Sequence, residues 1–252
     1  IRELDAGEAI LINDEGVHTI HRGHEGRQAL CVFETIYFAR PDSILDRKLV
    51  YTARGEMGRQ LARDNPVEAD IVIAIPDSAN PAAVGYSQES GIPYREGVVK
   101  NRYVGRTFIE PDQRIRDLGV RIKFNPLPEI LAGQRVVVVD DSIVRGTTTP
   151  HVVSLLRRAG AREIHMRVCA PPIISPCHFG VDFSTRRELI AAQMSVPEIC
   201  RTIGADSLEY LSVEGLFKAI GRKQERYCAG CFTGQYPINV QLELDKLALE
   251  QT

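Results

Sequence analysis

Residues 136–149, Val-Val-Val-Val-Asp-Asp-Ser-Ile-Val-Arg-Gly-Thr-Thr-Thr, constrain the fold of this chain more than any other stretch. Four consecutive β-branched valines favour an extended strand buried on both faces. Asp140 and Asp141 follow where that strand ends, a loop passes through Gly146, and a helical pattern begins beyond the threonines. A buried strand feeding a helix is the repeating unit of open α/β sheets, whose ligands sit beyond the carboxyl ends of the strands. Every part of this run has a use if the ligand is a phosphorylated sugar carrying a metal-bound diphosphate. The first amides of a helix bind a phosphate, and glycine lets the backbone approach it closely. Ser142, Thr147 and Thr148 can add hydroxyl hydrogen bonds. Asp140 and Asp141 can take sugar hydroxyls and Mg²⁺, a hard cation that prefers oxygen ligands. Alone, the valines and the acid pair are equally an ordinary strand end with a helix cap. The complete arrangement is more specific, and it is no Walker loop, since G-x-x-x-x-G-K-[ST] does not occur.

The remainder of the chain reads the same way. Glu8–Asn13 and Val17–Arg22 flank Asn13-Asp14-Glu15-Gly16, a hairpin signal. From Cys31 onward strands and helices alternate. Helices are predicted over Ala53–Asp64, over 80–90 and over Pro150–Ala159. Leu189–Ala192, Val196–Ile203 and Val213–Ile220 also read as helical, and 241–252 as a short helix or frayed tail. Strands are predicted over Ile71–Ile75, within Pro93–Lys100, and over Arg135–Val139 and Glu163–Cys169. Asn80 and Pro81 suit the start of the second helix and Gly91 its stop. This order implies an α/β fold with a mostly parallel sheet flanked by helices and an N-terminal β hairpin.

Length and charge narrow the function classes. A chain of 252 residues suits one α/β domain with appendages, or two small domains. A net charge of -2 gives no reason to expect nucleic-acid binding. No apolar run approaches the ~20 residues that span a membrane, and no secretory signal is present, so a cytoplasmic location is the default expectation. In that compartment the six cysteines serve packing, a metal or a cluster rather than disulfides. Cys228-x-x-Cys231 alone fits zinc as well as iron. His18, His21 and His24 are spaced three apart, but in a hairpin and loop they read as surface residues rather than as a metal site.

Two further stretches carry chemistry. Ile75-Pro76-Asp77-Ser78-Ala79-Asn80 is a second strand-end turn before a helix, where Ser78 can offer an oxygen to Mg²⁺ and an amide to a diphosphate. Alone it is also an ordinary Ser/Asn cap. Lys100-Asn101-Arg102-Tyr103-Val104-Gly105-Arg106-Thr107 opens a long stretch of little periodicity, continuing through Arg114, Arg116, Arg121 and Lys123. Its cations suit a lid over a departing diphosphate, and equally a solvated loop.

Residues 136–148 resemble the phosphoribosyl-pyrophosphate (PRPP) binding motif of type I phosphoribosyltransferases. More widely, the chain resembles the glutamine PRPP amidotransferase (amidophosphoribosyltransferase) family. The matching segments are Phe33-Glu34 with Ile36–Ser43, Ile75–Ser78, Val99–Phe108, Val136–Thr148, Gly180–Asp182, Glu188–Ala191, Ile203–Leu208 and Cys228–Gly234. The resemblance implies a type I phosphoribosyltransferase fold over 31–252, including a C-terminal cluster-binding segment. Residues 1–30 resemble only the end of the family's glutaminase domain. The implied reaction joins PRPP and ammonia to give 5-phosphoribosylamine and pyrophosphate, the first committed step of purine synthesis.

The resemblance also implies roles. Ser78, Asp140 and Asp141 would contact Mg²⁺, the aspartates also meeting the ribose hydroxyls. Gly146, Thr147 and Thr148 would hold the 5-phosphate. Asp77, Arg102, Ser142 and Arg145 complete the expected PRPP-binding set. Lys100, Tyr103 and Lys123 are the expected catalytic residues, the lysines on phosphates or the closed lid and Tyr103 shaping an ammonia channel. In the iron–sulfur branch of the family Cys31, Cys177, Cys228 and Cys231 match the [4Fe-4S] ligands, which favours a cluster over zinc; Cys169 and Cys200 read as packing residues. Two departures stand out. Ile1 is not the N-terminal cysteine of the family's glutaminase, so ammonia, free or from a separate glutaminase subunit, is the expected nitrogen source. Ala79-Asn80 replaces the Gly-Thr that many relatives carry after Asp-Ser. A homo-oligomer, dimer or tetramer, is also expected. The competing classes are a non-catalytic PRPP-sensing regulator and a base-salvage phosphoribosyltransferase.

Overall fold

The computed structural model describes residues 4–5, 7–22, 28–101 and 124–240. At its centre is a parallel sheet of four strands, ordered Ser207–Tyr210, Glu163–Val168, Arg135–Asp140 and Ile71–Ala74. The register aligns Ile71, Val136 and Ile164 at one end and Asp140, Val168 and Tyr210 at the other. A single bridge from Val72 to Tyr94 extends the sheet at the Ile71–Ala74 edge. Val98–Lys100 forms the strand expected before the lid, but it pairs antiparallel with Phe124–Pro126, outside the main sheet.

Alternation along each strand divides the core into two layers. Val72, Ala74, Val137 and Val139 pack with the helices Val50–Asp64, Asn80–Ser90 and Val213–Ile220. Ile71, Ile73, Val136, Val138, Ile164 and Met166 face the helices Thr149–Arg158 and Val196–Ile203. The predicted parallel sheet with helices on both faces is therefore present. Helix ends follow their local chemistry: Ser195 and Glu198 form a reciprocal capping box, and Gly91, Gly204 and Gly221 take the left-handed conformation that closes a helix.

The helices Val50–Asp64 and Asn80–Ser90 cross unusually closely. A Cβ on Gly58 would lie 1.8 Å from the Ala82 carbonyl oxygen, and one on Gly85 2.0 Å from that of Gly55. Only glycine permits that approach. It seats the second helix, and the turn that precedes it, firmly against the sheet.

The hairpin of Ala9–Asn13 and Gly16–His21 forms as predicted, yet Leu11, Ile12, Val17 and Ile20 remain exposed. His18 lies on an exposed strand, and no three His, Cys, Asp or Glu side chains among the described residues converge on a single ion. His24 and the tail 241–252 lie outside the described residues. No helix among the described residues is long and apolar enough to cross a membrane.

Candidate active site

Two strand ends carry the candidate chemistry. Strand Arg135–Asp140 delivers Asp140 and Asp141 to the carboxyl edge of the sheet, and the neighbouring strand Ile71–Ala74 delivers the turn at 76–79. The Ser78 hydroxyl donates to Asp141 Oδ2. Ser142 donates to Asp141 Oδ1 at 2.6 Å, and the Asp141 amide donates to Asp140 Oδ1 at 2.8 Å. Ser78 therefore does not spend its hydroxyl on the helix that follows, which begins with no side-chain cap. Asn80 is not a cap either; it lies inside the helix, with its Oδ1 buried and without a partner.

Electrostatics at the acid pair are tense. Burial pushes the Asp140 carboxyl well up, and repulsion from Asp141 adds to it. Burial also pushes Asp141 up, while the Ser142 and Ser78 hydroxyls and the Arg54 charge pull it back. Two adjacent carboxylates, Asp141 buried and Asp140 half-buried, with so little positive charge around them are poised to accept a cation. Two carboxylates suffice for Mg²⁺, which keeps waters and substrate phosphates in its remaining positions.

Around the pair the loops interlock. Lys100 Nζ lies 2.5 Å from Asp77 Oδ2, so the lysine before the expected lid stands over the turn at 76–79. Gly146 has φ +67°, and a Cβ there would sit 2.4 Å from Ile190 Cδ1, so the loop both turns left-handed and lies flat on Ile190. Thr147 is exposed and Thr148 half-buried, and Thr148 makes no side-chain cap to helix Thr149–Arg158. Both threonines lie at the N-terminal end of that helix, the end at which anions bind.

The structure thus brings Ser78, Asp140, Asp141 and Ser142 together, links Lys100 to Asp77, and lays Gly146, Thr147 and Thr148 at a helix start. Arg145, expected in the substrate-binding set, is engaged by neighbouring segments. Its guanidinium donates to Glu188 at 2.6 and 2.9 Å and to the Asp182 carbonyl at 2.9 Å, which ties the loop to the segment behind it. Arg102, Tyr103 and Lys123 lie outside the described residues.

Three residues of this neighbourhood had no role assigned from the sequence, although Glu188 opens one of the matching segments. Glu188 anchors Arg145 and accepts the Ser184 and Thr185 amides. Buried Arg54 donates to the carbonyls of Thr35 at 2.9 Å and Ala39 at 2.8 Å, close enough to Asp141 to favour its charge. Tyr210 closes the row that begins at Asp140. No spacing rule could have found them, because each acts across a contact between distant segments.

The four expected cluster cysteines meet. Leu30–Cys31 and Tyr227–Cys228 pair as parallel strands with Cys31 opposite Cys228. Cys31, Cys177, Cys228 and Cys231 line one cavity of about 490 Å³ whose other walls include Phe33, Phe183 and Tyr236. Burial pushes the Cys231 thiol up, and Cys31, Cys228 and Cys177 each add to the effect, which places all four sulfurs within electrostatic reach. They surround a space instead of converging on a point. Cys169 is buried beside the acid pair and Cys200 donates to the Ala205 carbonyl, both as packing residues.

Known proteins are similar to this chain in sequence and fold. The family model for the phosphoribosyl transferase domain matches residues 41–172. The amidophosphoribosyltransferase of Archaeoglobus fulgidus is 54% identical over 242 residues, 95% of this chain and 53% of that protein. That of Bacillus subtilis is 50% identical over 244 residues, 95% of this chain and 51% of that protein. The solved glutamine PRPP amidotransferase from B. subtilis, complexed with ADP and GMP, superposes with a TM-score of 0.87 at 49% identity. The match covers 96% of this chain and 54% of that one. The chain thus spans about half the length of the curated relatives it matches. The fold is that of the type I phosphoribosyltransferases, and the chain belongs to the phosphoribosyl transferase domain family.

Proposed function

We propose that this chain binds Mg²⁺–PRPP at the Asp140–Asp141 edge and transfers its phosphoribosyl group to ammonia, giving 5-phosphoribosylamine and pyrophosphate. The observation that carries the reading is the hydrogen bond from Ser78 to Asp141, which joins the two strand-end loops into one site. The names of relatives that are 50% and 54% identical support phosphoribosyl transfer from PRPP.

As diphosphate departs, the sugar carbon becomes electron-deficient, and ammonia attacks it from the opposite side. The protein has little bond-making to do, so positioning and charge stabilisation dominate. Thr147, Thr148 and the helix amides beyond Gly146 hold the 5-phosphate. Asp140 and Asp141 accept the ribose hydroxyls and, with Ser78, provide the oxygen contacts for Mg²⁺. Bound Mg²⁺ supplies charge neutralisation on the leaving diphosphate. Lys100 exchanges Asp77 for a phosphate oxygen; Arg102 and Lys123 would contact phosphates, and Tyr103 would shape the path for ammonia. Arg145, held by Glu188, keeps the phosphate loop in place.

The cysteine-lined cavity is proposed to hold a [4Fe-4S] cluster on Cys31, Cys177, Cys228 and Cys231. Its supports are the count of four thiols and their arrangement around one cavity. The role is structural: the ligands tie the C-terminal segment to the start of the domain.

The test mixes the protein with PRPP and Mg²⁺ and measures pyrophosphate released with ammonium salt or with glutamine. Release with ammonium alone is expected. The rate at fixed total ammonium rises with pH, because free ammonia is the nucleophile. Equal release with glutamine overturns the nitrogen source. PRPP binding with no release under any condition points instead to a PRPP-sensing regulator.

A further inference from the structure

Tyr210 is 9% exposed, and its hydroxyl is buried without a hydrogen-bond partner. Such a group costs stability, and a chain that kept only the ring would fold better. Its position is particular. Tyr210 is the last residue of its strand, at the carboxyl edge where ligands of parallel sheets bind. The register aligns it with Val168 and Asp140. In-register residues of a parallel sheet point to the same face, so ring and carboxylate share one side with Val168 between them. Two strand spacings separate their backbones by roughly 10 Å, and the hydroxyl lies close enough to feel the Asp140 charge. Burial and the Asp140 charge both push the hydroxyl up, so it remains a donor. Among the described residues Asp140 accepts one side-chain hydrogen bond, from the Asp141 amide to Oδ1, leaving Oδ2 for another donor.

We propose that Tyr210 is a positioning residue of the sugar site: its hydroxyl donates to the Asp140 carboxylate once Mg²⁺–PRPP occupies the edge, fixing that carboxylate for the ribose hydroxyls. The inference rests on the PRPP reading of Asp140. It makes an unpaired hydroxyl in the free protein a paired one in the complex. Asp140 serves both the ribose hydroxyls and Mg²⁺ in that reading, so the effect is confined to ligands that reach the acid edge.

Tyr210→Phe tests this with two ligands and a stability measurement on the full chain. Calorimetric affinity for Mg²⁺–PRPP should fall about tenfold, the scale of one charge-assisted hydrogen bond. Affinity for inorganic phosphate, which meets the 5-phosphate loop and neither the sugar nor the metal contacts of Asp140, should stay within about twofold, and Tm should be unchanged or higher. A higher Tm with unchanged PRPP affinity shows an idle hydroxyl and overturns the proposal while leaving the site intact. Equal loss of both ligands marks general distortion and also overturns it. Failure of the unaltered chain to bind Mg²⁺–PRPP overturns the reading of the site, and this inference with it.

Discussion

Replacing Gly85 with alanine tests how the packing of two helices supports the site. Helix propensity favours alanine over glycine by about 1 kcal/mol. Against that gain, the new Cβ would sit 2.0 Å from the Gly55 carbonyl oxygen and 2.8 Å from its carbon. An ordinary carbon–oxygen contact needs about 3.2 Å or more, so the helices must separate by roughly 1 Å. Overpacking costs about 1–3 kcal/mol where side chains can yield. Here the obstacle is backbone, so the upper end applies and the net loss is about 1–2 kcal/mol. For a chain of this size that lowers Tm by roughly 2–8 °C. The consequence reaches the chemistry, because helix Asn80–Ser90 starts two residues after Ser78. Moving it strains the contact from Ser78 to Asp141. Thermal and urea unfolding give the first readout and PRPP affinity the second. Stability equal to or above that of the unaltered protein refutes the reasoning, since the propensity gain would then outweigh the clash.

Other outcomes follow from the same contacts. Asp140→Asn and Asp141→Asn should each weaken Mg²⁺–PRPP binding by about 1.5–3 kcal/mol without unfolding the chain; calorimetry showing unchanged affinity in both variants removes the site. Hydrogen bonds from the Arg135 side chain and amide hold the Asp70 carboxyl below its usual range. Its contribution is complete above the ordinary carboxylate range and is lost as pH falls through the lowered folded value, so Asp70→Asn should flatten the acid side of the stability curve. A variant whose stability keeps the same slope below pH 4 counts against that pairing. Anaerobically purified protein should be brown, with about four irons and four sulfides per chain. Cys228→Ser should lower stability and expose the C-terminal segment to proteolysis. Stoichiometric zinc without iron, in protein never exposed to air, leaves a zinc site in place of the cluster.

The sequence by itself determined the elements and the order in which they occur. Strands Ile71–Ala74, Arg135–Asp140 and Glu163–Val168 are runs of apolar and β-branched residues, and the helices over 80–90, 196–203 and 213–220 carry their own starts and glycine stops. Those signals are local, and a local pattern specifies local structure. It also placed Asp140 and Asp141 at a strand end and Gly146 before a helix start, because the strand–loop–helix unit is one continuous stretch. Strand Ser207–Tyr210 escaped notice: only Leu208 and Tyr210 of its four residues are buried, and its extended form comes from pairing with Glu163–Val168. Only the tertiary structure decided that Ser78 spends its hydroxyl on Asp141, that Glu188 holds Arg145, and that Arg54 supports the acid pair. It alone set Cys31 beside Cys228, and Tyr210 in line with Asp140. Each of these joins segments far apart in the chain, and their meeting depends on sheet register and helix packing, which follow from the summed burial of the whole core rather than from the residues that meet.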